Sequence, residues 1–476
     1  MVQGIVISDS HRKQQRDDGG DNMFLDENYL LRGSAARKLY EEVAQLPVLD
    51  PHNHADPQQI VKNTSWEDIW EVECATDHYV WELMRKCDVP EDKITGSASN
   101  KEKWMALANV MPLIAGNPVY EWLHLDLFRV FGIQKIVRSE TAEEIWEETR
   151  KKLRSPEMRP QQLLEKMRVE IMCTTDDPSS DLKWHAKAEE ELSNLRMLPT
   201  WRPDRAMNIQ KPGWRNFVEA MGERYEEDTS DLEGFLYALA KSHDYFARMG
   251  CVASDHGIEQ PYSYPVERSK VREIHKKAFS GVPLTEEEAR DYKAFMLLYF
   301  GELNAEKNWV TQLHIGAVRD YRDNLFRKFG PDSGGDISTN AVDLVKGLRY
   351  FLNRFDGRLK IVLYVLDPTH LPTAATISRA FPNVNLGAAW WFNDSPFGME
   401  MHLRYIATVD LLSNFAGMVT DSRKLLSFGS RTEMFRRVLC NVLGSMVDNS
   451  QIPYEEAKGL ARRACYDRPY ELFYSI

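Results

Sequence analysis

The chain has 476 residues, of which 43% are hydrophobic and 28% are charged, and its formal net charge is −12. This apolar content, with 12 Trp, 19 Tyr and 20 Phe, can fill a large core and excludes a wholly disordered chain. The acidic balance argues against nonspecific nucleic-acid binding, which needs a surplus of Lys and Arg to displace counterions, so the expected partner is a small molecule.

The first segment, residues 1–22, has almost nothing to bury after Ile7. It is predicted to be a disordered leader, which leaves residues 23–476 as the folded unit. It lacks the apolar core of a signal peptide, and no apolar run reaches the length of about 18 residues that a membrane span requires. The six cysteines show no CxxC spacing and are predicted to be reduced, buried thiols. We therefore expect a cytoplasmic protein that makes no membrane contact.

From Leu46 onward, short apolar runs that end in polar residues alternate with helical stretches. The runs cover residues 46–54, 169–177, 196–204, 250–256, 309–316, 360–368, 384–394 and 415–423. Continuous apolar strands followed by helices are typical of a parallel sheet that is covered on both faces. Eight such units predict an α/β fold, specifically a closed (β/α)8 barrel of the TIM type.

The first connection of this barrel is unusually long, taking roughly 115 residues where a simple crossover needs about 30. Its Trp-rich helical periodicity predicts a helical insertion after the first strand, at residues 57–165, which would lie over the barrel mouth. The stretch GPDSGGDIST at residues 330–339 is predicted to be a mobile loop.

The sharpest chemical signal is the pair His52 and His54 at the end of the first run. Residues i and i+2 of a strand project to the same side, so both imidazoles would face the barrel mouth. His314 ends the fifth run and Asp421 ends the eighth, and in a barrel the strand ends converge. Three histidines and one aspartate suit Zn, Mn or Fe, so we predict one divalent metal ion, with zinc as the first choice.

His256, at the end of the fourth run, competes with His314 for the third histidine position. No Lys ends the fourth run in a bridging position, and the sixth run ends Leu366-Asp367-Pro368 without a histidine. A second metal and binuclear hydrolysis are therefore disfavoured.

Other strand-end residues could surround this centre. Arg202 and Arg423 lie near the ends of the third and eighth runs, and guanidinium groups suit carboxylates and developing oxyanions, although an arginine beside Asp421 could merely neutralise it. Trp390 and Trp391 in the seventh run could be core residues or a wall for a sugar-like ligand.

The chain resembles the uronate isomerases (glucuronate isomerase family) of the amidohydrolase superfamily from about Phe24 to its end. The resemblance rests on segments that include DPHNHADPQQI, DHYVWELMR, LPTWRPDRAMNI, QLHIGAVR, WWFND and GMVTDSRKLLSF. It implies His52, His54, His314 and Asp421 as metal ligands. It also implies that His78, Tyr79, Arg202 and Arg423 are catalytic or substrate-binding groups. One departure is Asn53, where relatives often have a different small or polar residue; this position points away from the metal.

The implied activity interconverts D-glucuronate with D-fructuronate and D-galacturonate with D-tagaturonate. Such an isomerisation removes the C2 proton, holds an enediolate and returns a proton to C1. Tyr79, with its pKa lowered toward the phenolate by a neighbouring arginine, is the favoured proton shuttle, and Asp421 is the rival base.

Two other functions use the same residues. A metal-dependent hydrolase or deaminase would activate water at the same site, with Asp421 as its base. A noncatalytic binding protein for sugar acids would bind its ligand without consuming it. We also expect a homo-oligomer, whose interface the sequence does not locate.

Overall fold

The computed structural model describes residues 24–475. The prediction of a disordered leader at residues 1–22 lies outside the described residues.

Parallel strands form where seven of the eight apolar runs were predicted. Within residues 24–475 they are β1 Val48–Asp50, β2 Val169–Cys173, β3 Arg196–Leu198, β4 Ala253–Ile258, β5 Val310–Ile315, β8 Lys360–Val365 and β9 Val384–Leu386. An antiparallel pair, β6 Ala317–Val318 and β7 Ile337–Ser338, lies between β5 and β8. The parallel strands are ordered β1-β2-β3 in one ladder and β4-β5-β8-β9 in the other, and the β5 strand is buried along its whole length.

Isolated bridges and hydrogen bonds, rather than continuous ladders, join the two ladders into a closed cylinder. Trp201, just after β3, bridges Asp176 on one side and Ser254 on the other. On the opposite side the eighth run connects β9 to β1: the Ala416 amide donates to Leu386 O at 2.9 Å, and the Asp421 amide donates to His52 O at 3.1 Å.

The eighth run differs from the prediction because it forms no regular strand. Gly417 has φ of +103°, which an extended strand does not adopt and which glycine tolerates for lack of a Cβ. The run therefore occupies the eighth place in the barrel through isolated contacts rather than through a continuous ladder.

The connection between β1 and β2 is helical. In this part of the described chain it contains α2 Pro57–Lys62, α3 Ile69–Glu73, α4 His78–Lys86, α5 Asn100–Ile114, α6 Pro118–Arg129, α7 Ala142–Leu153 and α8 Pro160–Lys166. Local signals fix the helix starts: Ser99 and Glu102 form a reciprocal capping box at α5, and Asp77 caps α4 through the Tyr79 amide.

The other helices surround the barrel or precede it. They are α1 Gly33–Val43, α9 Lys183–Glu191, α10 Asp204–Met207, α11 Trp214–Tyr225, α12 Leu232–Arg248, α13 Arg268–Phe279, α14 Glu286–Glu306, α15 Asp323–Phe329, α16 Leu344–Arg354, α17 Leu371–Ala380, α18 Pro396–Val409, α19 Ser427–Asp448 and α20 Tyr454–Arg462. Helix α19 begins a few residues after Asp421 and is buried over most of its length. It therefore supports the end of the eighth run from behind.

Candidate metal centre and active site

Three of the four predicted metal ligands meet at one carboxylate. His52 Nε2 lies 3.0 Å and His54 Nε2 lies 3.1 Å from Asp421 Oδ1. The His54 amide donates to Ser422 O at 2.9 Å, so backbone pairing between the first and eighth runs sets this convergence. These three donor atoms lie close enough together to hold one ion.

His314 lies on the far side of His52, at a second carboxylate. Its ring centroid is 4.3 Å from that of His52, and its Nδ1 is 2.7 Å from Asp255 Oδ1. Asp255 Oδ2 is 3.4 Å from His52 Nδ1, so His52, Asp255 and His314 form a second, overlapping group of donor atoms. The structure therefore brings all four predicted ligands to the same barrel mouth, with Asp255 as an additional member.

Asp255 is the residue that the sequence analysis missed, because it considered His256 instead. Adjacent residues of a strand face opposite sides, so only one of the two can point into the barrel. Asp255 faces the centre, whereas His256 Nε2 is 2.8 Å from Ser254 Oγ and its ring stacks on Phe300. His256 as a competing metal ligand is therefore a wrong alternative.

Burial and ion pairing set the charges of the centre. Burial lowers the pKa of both His54 and His314 to about 4, so both imidazoles are neutral at pH 7. Burial opposes the ionisation of Asp421, but hydrogen bonds from His52 and His54 hold its pKa well below the usual range. Burial would lower the pKa of His52, but Asp255 and Asp421 raise it above its ordinary value. Neutral His54 and His314 beside an ionised Asp421 have the protonation states that a metal ion requires, and a bound ion would have to displace any extra proton from His52.

A metal ion fits these residues. The Nε2 atom of His314 is buried and has no hydrogen-bond partner among residues 24–475, although a buried polar atom normally has one. The imidazole stacks on Tyr364 with ring centroids 4.3 Å apart and an interplanar angle of 7°, which fixes its orientation. An unsatisfied nitrogen on a fixed ring, in a group of donor atoms that shares His52 with the His52, His54 and Asp421 group, is a suitable ligand for a first-row divalent ion.

The half-buried Arg202, which follows β3, is already paired. Arg202 Nε donates to Asp204 Oδ2 at 2.8 Å, and its Nη1 donates to Asp255 Oδ2 at 3.0 Å. Gly257 permits this arrangement, because a Cβ at that position would lie 2.7 Å from Arg202 Nη2. Arg202 therefore neutralises the carboxylates behind the histidines, and its remaining Nη2 lies toward the β4 backbone at Gly257.

A cavity of about 400 Å³ opens above this centre. Its lining includes seven predicted site residues: His54, His78, Tyr79, Arg202, Trp391, Asp421 and Arg423. His78 and Tyr79 stack with ring centroids 4.6 Å apart. The helical connection and the barrel thus both contribute to one cavity.

The Tyr79 hydroxyl is buried and has no hydrogen-bond partner in the described part of the chain. The prediction that a neighbouring arginine lowers its pKa toward the phenolate is wrong. Burial raises the pKa of Tyr79 well above its usual value, and the opposing effect of a nearby arginine does not overcome it. That arginine is Arg431 of α19, whose Cζ lies 5.2 Å from the Tyr79 ring centroid.

The two tryptophans occupy different places. The Trp390 indole donates to Asp421 Oδ2 at 2.7 Å and lies edge-on to His314, so it contacts the metal centre itself. Trp391 faces the cavity, with the guanidinium of Arg319 over its ring at 4.4 Å. Trp391 and Asp421 both have positive φ, at 53° and 48°, a strained conformation that often occurs at functional sites.

A family model described as glucuronate isomerase matches residues 22–473 of the chain. The chain belongs to the glucuronate isomerase family. It is 66% identical to the uronate isomerase of Thermotoga maritima over 95% of this chain and 100% of that protein. It is 38% identical to the uronate isomerase of Phocaeicola vulgatus over 94% of this chain and 99% of that protein. The predicted resemblance to this isomerase family, and hence to an enzyme, is confirmed, and a hydrolase is not favoured.

Solved structures of the family share the fold. The crystal structure of the Thermotoga maritima uronate isomerase superimposes with a TM-score of 0.94 at 66% identity, covering 95% of this chain and 100% of that one. The glucuronate isomerase from Caulobacter crescentus gives a TM-score of 0.91 at 26% identity, covering 94% and 97% of the two chains. The prediction of a TIM-type barrel is confirmed. No helix in residues 24–475 combines the length and apolarity that crossing a membrane requires.

Proposed function

We propose that this member of the glucuronate isomerase family interconverts D-glucuronate with D-fructuronate and D-galacturonate with D-tagaturonate. The observation that carries the proposal is the meeting of His52, His54 and Asp421 at the floor of a cavity to which Tyr79 contributes. An aldose-to-ketose isomerisation needs an electrophile near the carbonyl and a proton-transfer group near C1 and C2, and this cavity offers candidates for both.

His52, His54, His314 and Asp421 would hold one divalent ion, with zinc as the first choice for this ligand set. When bound, the ion would polarise a substrate oxygen and stabilise the negative charge that develops on it. Asp255 would contact the histidines on the side away from the ion. One of its oxygens lies near Nδ1 of His52 and the other near Nδ1 of His314, which leaves Nε2 of each ring free for the ion.

Tyr79 is proposed to move the proton between C2 and C1. Burial keeps its hydroxyl a neutral phenol, so the base form has to be generated during the reaction. Arg431, which faces the Tyr79 ring, favours that form. Asp421 is the second candidate base, because it is ionised, but its hydrogen bonds with His52 and Trp390 weaken its basicity.

Arg423 and Arg202 are proposed to bind the oxyanion or the carboxylate of the sugar. Arg202 already neutralises Asp204 and Asp255, whereas Arg423 makes one ion pair, at 3.3 Å, with the exposed Asp332. Arg423 is therefore the more available of the two. His78 and Trp391 would contact the sugar from the cavity wall, and Trp390 would contact it only at the metal centre, where it already binds Asp421.

The helical insertion, residues 57–165, is proposed to cover the barrel mouth through the start of α4. Location in the cytoplasm and assembly into a homo-oligomer remain predictions. Light scattering on the purified protein tests the second.

The proposal is tested by measuring ketose formation from D-glucuronate and D-galacturonate in deuterated water, with metal analysis of the same sample. Isomerisation through an enediolate predicts a ketose that carries deuterium at C1 whenever the proton exchanges with solvent. We expect about one metal ion per chain and loss of activity after chelation. A hydrolase or a noncatalytic binding protein would form no ketose.

A further inference from the structure

A lysine directly after the eighth run is buried with two carboxyl groups. Lys424 Nζ donates to Glu73 Oε2, at the end of α3, at 2.8 Å and to Asp126 Oδ2, in α6, at 3.1 Å. The side chains of Lys424, Glu73 and Asp126 are 4%, 0% and 1% exposed. We call these three residues the lysine triad, and none of them takes part in the proposed reaction.

The lysine triad has more acidic groups than basic ones. If both carboxyl groups were ionised, two negative charges would face a single ammonium, and one negative charge would remain unbalanced in a buried site. Such a charge is costly in a protein interior, where a carboxylate usually binds a proton instead. One proton held by the two carboxyl groups makes the triad neutral.

The carboxyl oxygens that do not face Lys424 give independent support for this proton. Glu73 Oε1 and Asp126 Oδ1 are buried and have no hydrogen-bond partner among residues 24–475, although buried polar atoms normally have one. Two ionised carboxylates only accept hydrogen bonds, so they cannot satisfy each other. A protonated carboxyl group can instead donate to an ionised one, which gives both groups a partner.

The surroundings favour the proton on Glu73. Burial raises the pKa of Glu73, and the opposing effect of Lys424 does not overcome it. Burial also raises the pKa of Asp126, but the hydrogen bond between the two carboxyl groups lowers it and raises that of Glu73, and Ser430 of α19 also favours ionised Asp126. Burial lowers the pKa of Lys424, but Glu73, Asp126 and the nearby Asp77 raise it well above its usual value, so the lysine is charged.

The barrel side of the triad belongs to the same segment as a proposed metal ligand. Lys424 closely follows Asp421, and its amide donates to Ser422 Oγ at 3.1 Å. The carbonyl oxygen of Ser422 accepts the hydrogen bond from the His54 amide at 2.9 Å. The Lys424 ammonium is therefore attached to the backbone that brings Asp421 to His54.

The two acidic residues of the triad belong to segments that contact Tyr79. Glu73 ends α3, and the next residues lead to Asp77, which accepts from the Tyr79 amide at 2.9 Å at the start of α4. Asp126 lies one helical turn after Trp122 on the same face of α6, and the Trp122 ring is edge-on to the Tyr79 ring with centroids 5.7 Å apart. One lysine thus holds two of the segments that surround Tyr79.

We propose that Glu73 and Asp126 hold one proton between them, and that the resulting neutral triad is a positioning device that fixes Tyr79 over the metal centre. The positioning role rests on the proposed function, in which Tyr79 transfers the substrate proton, whereas the shared proton does not depend on it. Neutrality allows Lys424 to hold both carboxyl groups at the end of the eighth run without leaving a buried charge unpaired. The triad contacts no reacting atom and acts through Tyr79.

The shared proton is tested by infrared spectroscopy of the full chain at pH 7. The carbonyl band of a protonated carboxyl group is separate from the bands of a carboxylate, so difference spectra show which form a substitution removes. We expect Glu73→Gln to remove about one protonated carboxyl group per chain. Asp126→Asn should do the same, because the remaining Glu73 becomes the single ionised partner of Lys424. Asp394, whose pKa burial raises to about 7, is present in all these proteins and cancels in the differences.

The matched control is Glu143→Gln. Glu143 lies in the same helical insertion and pairs with Lys101 at 2.6 Å, but its side chain is 62% exposed, so solvent stabilises its charge. Glu143→Gln should remove a carboxylate and no protonated carboxyl group. Loss of a carboxylate in Glu73→Gln, or retention of the protonated group in Asp126→Asn, would overturn the shared proton.

The positioning role is tested in Lys424→Met/Asp126→Asn, which removes the ammonium together with its ionised partner. Glu73 then stays protonated, so no buried charge is left unpaired and the fold is retained. We expect turnover of D-glucuronate to fall about 10- to 100-fold with little change in KM, since displacing a catalytic group by about 1 Å can cost about 10²-fold. Hydrogen exchange of the α4 amides, which needs no turnover, should become faster. Glu143→Gln should match the wild type in both measurements.

The same double substitution in a Tyr79→Phe background separates positioning from general damage. If the triad acts through Tyr79, the substitution causes almost no further loss of turnover once the hydroxyl is absent, whereas general damage lowers turnover equally in both backgrounds. Equal losses in the two backgrounds, or unchanged α4 exchange, would refute the positioning role. Failure of the proposed isomerisation would instead appear as absence of ketose from the wild type, and the infrared and exchange results do not depend on it.

Discussion

The indole nitrogen of Trp390 donates a hydrogen bond to Asp421 Oδ2 at 2.7 Å, while Oδ1 of the same carboxylate faces His52 and His54. One oxygen is thereby held by the barrel and the other is directed to the metal centre. A tryptophan for which the sequence left open a place in the core or in a wall for a sugar-like ligand thus orients a proposed metal ligand.

Replacing Trp390 with Phe should weaken metal binding. The change keeps an aromatic ring beside His314 but removes the one hydrogen-bond donor that Asp421 Oδ2 has among residues 24–475. Loss of such an outer hydrogen bond typically costs about 10- to 100-fold in metal affinity or activity. Competition with a chelator measures the affinity.

The matched variant is Trp391→Phe, which removes an indole N–H with no partner among the described residues, and it should bind the metal as the wild type does. Equal affinities in Trp390→Phe and the wild type would contradict this prediction.

Replacing Tyr79 with Phe should reduce turnover by about 10²- to 10⁴-fold, the usual contribution of a positioned proton-transfer group. KM should change little, because the hydroxyl has no hydrogen-bond partner within residues 24–475. Steady-state kinetics on D-glucuronate and deuterium incorporation into the product check both points. Tyr120→Phe, on α6 of the same helical insertion, is the control. Turnover within a few-fold of the wild type would favour Asp421 as the base.

Replacing Arg431 with Met should destabilise the fold in a pH-dependent manner. Arg431 is 1% exposed and is the ion-pair partner of the buried Asp394. Burial raises the pKa of Asp394 to about 7 although Arg431 opposes this, and removing Arg431 should raise it further. A raised pKa in the folded state means that stability is present at low pH and is lost as pH rises through that pKa.

The loss in Arg431→Met should therefore be larger at pH 8 than at pH 6 and approach about 3–5 kcal/mol, the typical result of leaving a buried charge unpaired. Urea unfolding at the two pH values measures it. The double variant Arg431→Met/Asp394→Asn, which has no charge left to pair, should lose the pH dependence. A loss that is the same at both pH values in the single variant would refute the assignment to Asp394.

His124 of α6 should make the fold less stable in mild acid. Its Nδ1 lies 2.7 Å from Tyr120 O and must donate, and its Nε2 accepts from the Val137 amide at 2.9 Å, so the ring is neutral. Burial lowers its pKa to about 4. The unfolded chain, with a pKa near 6.5, binds a proton first. Stability is then fully present above about pH 6.5 and falls as pH decreases toward 4.

Thermal unfolding of the wild type and of His124→Gln between pH 7 and pH 4 checks this contribution. Glutamine can keep one of the two hydrogen bonds but does not titrate, so the variant should be less stable at pH 7 and should show a shallower decline. Parallel declines would place the acid sensitivity elsewhere, for example at the buried His243 and His402.

The sequence by itself determined the repeated strand-helix unit, the helical character of the chain between β1 and β2, and the residue types at the barrel mouth. These follow from local information: hydrophobic period, helix capping and the position of polar residues after apolar runs. His52, His54 and Asp421 could be predicted as metal ligands because their spacing and their positions at strand ends can be read from the sequence.

Only the tertiary structure decided which neighbours face one another. Whether Asp255 or His256 points inward depends on the register of β4 against β5, which pairs Gly257 with His314. Arg431 lies in the second turn of the buried helix α19, outside every apolar run, and is brought to Tyr79 only by packing. The pKa of Tyr79 depends on burial, and Lys424 meets its two carboxyl partners only because the helical connection packs against the barrel. Through-space contacts between distant segments set each of these properties, and no local pattern encodes them.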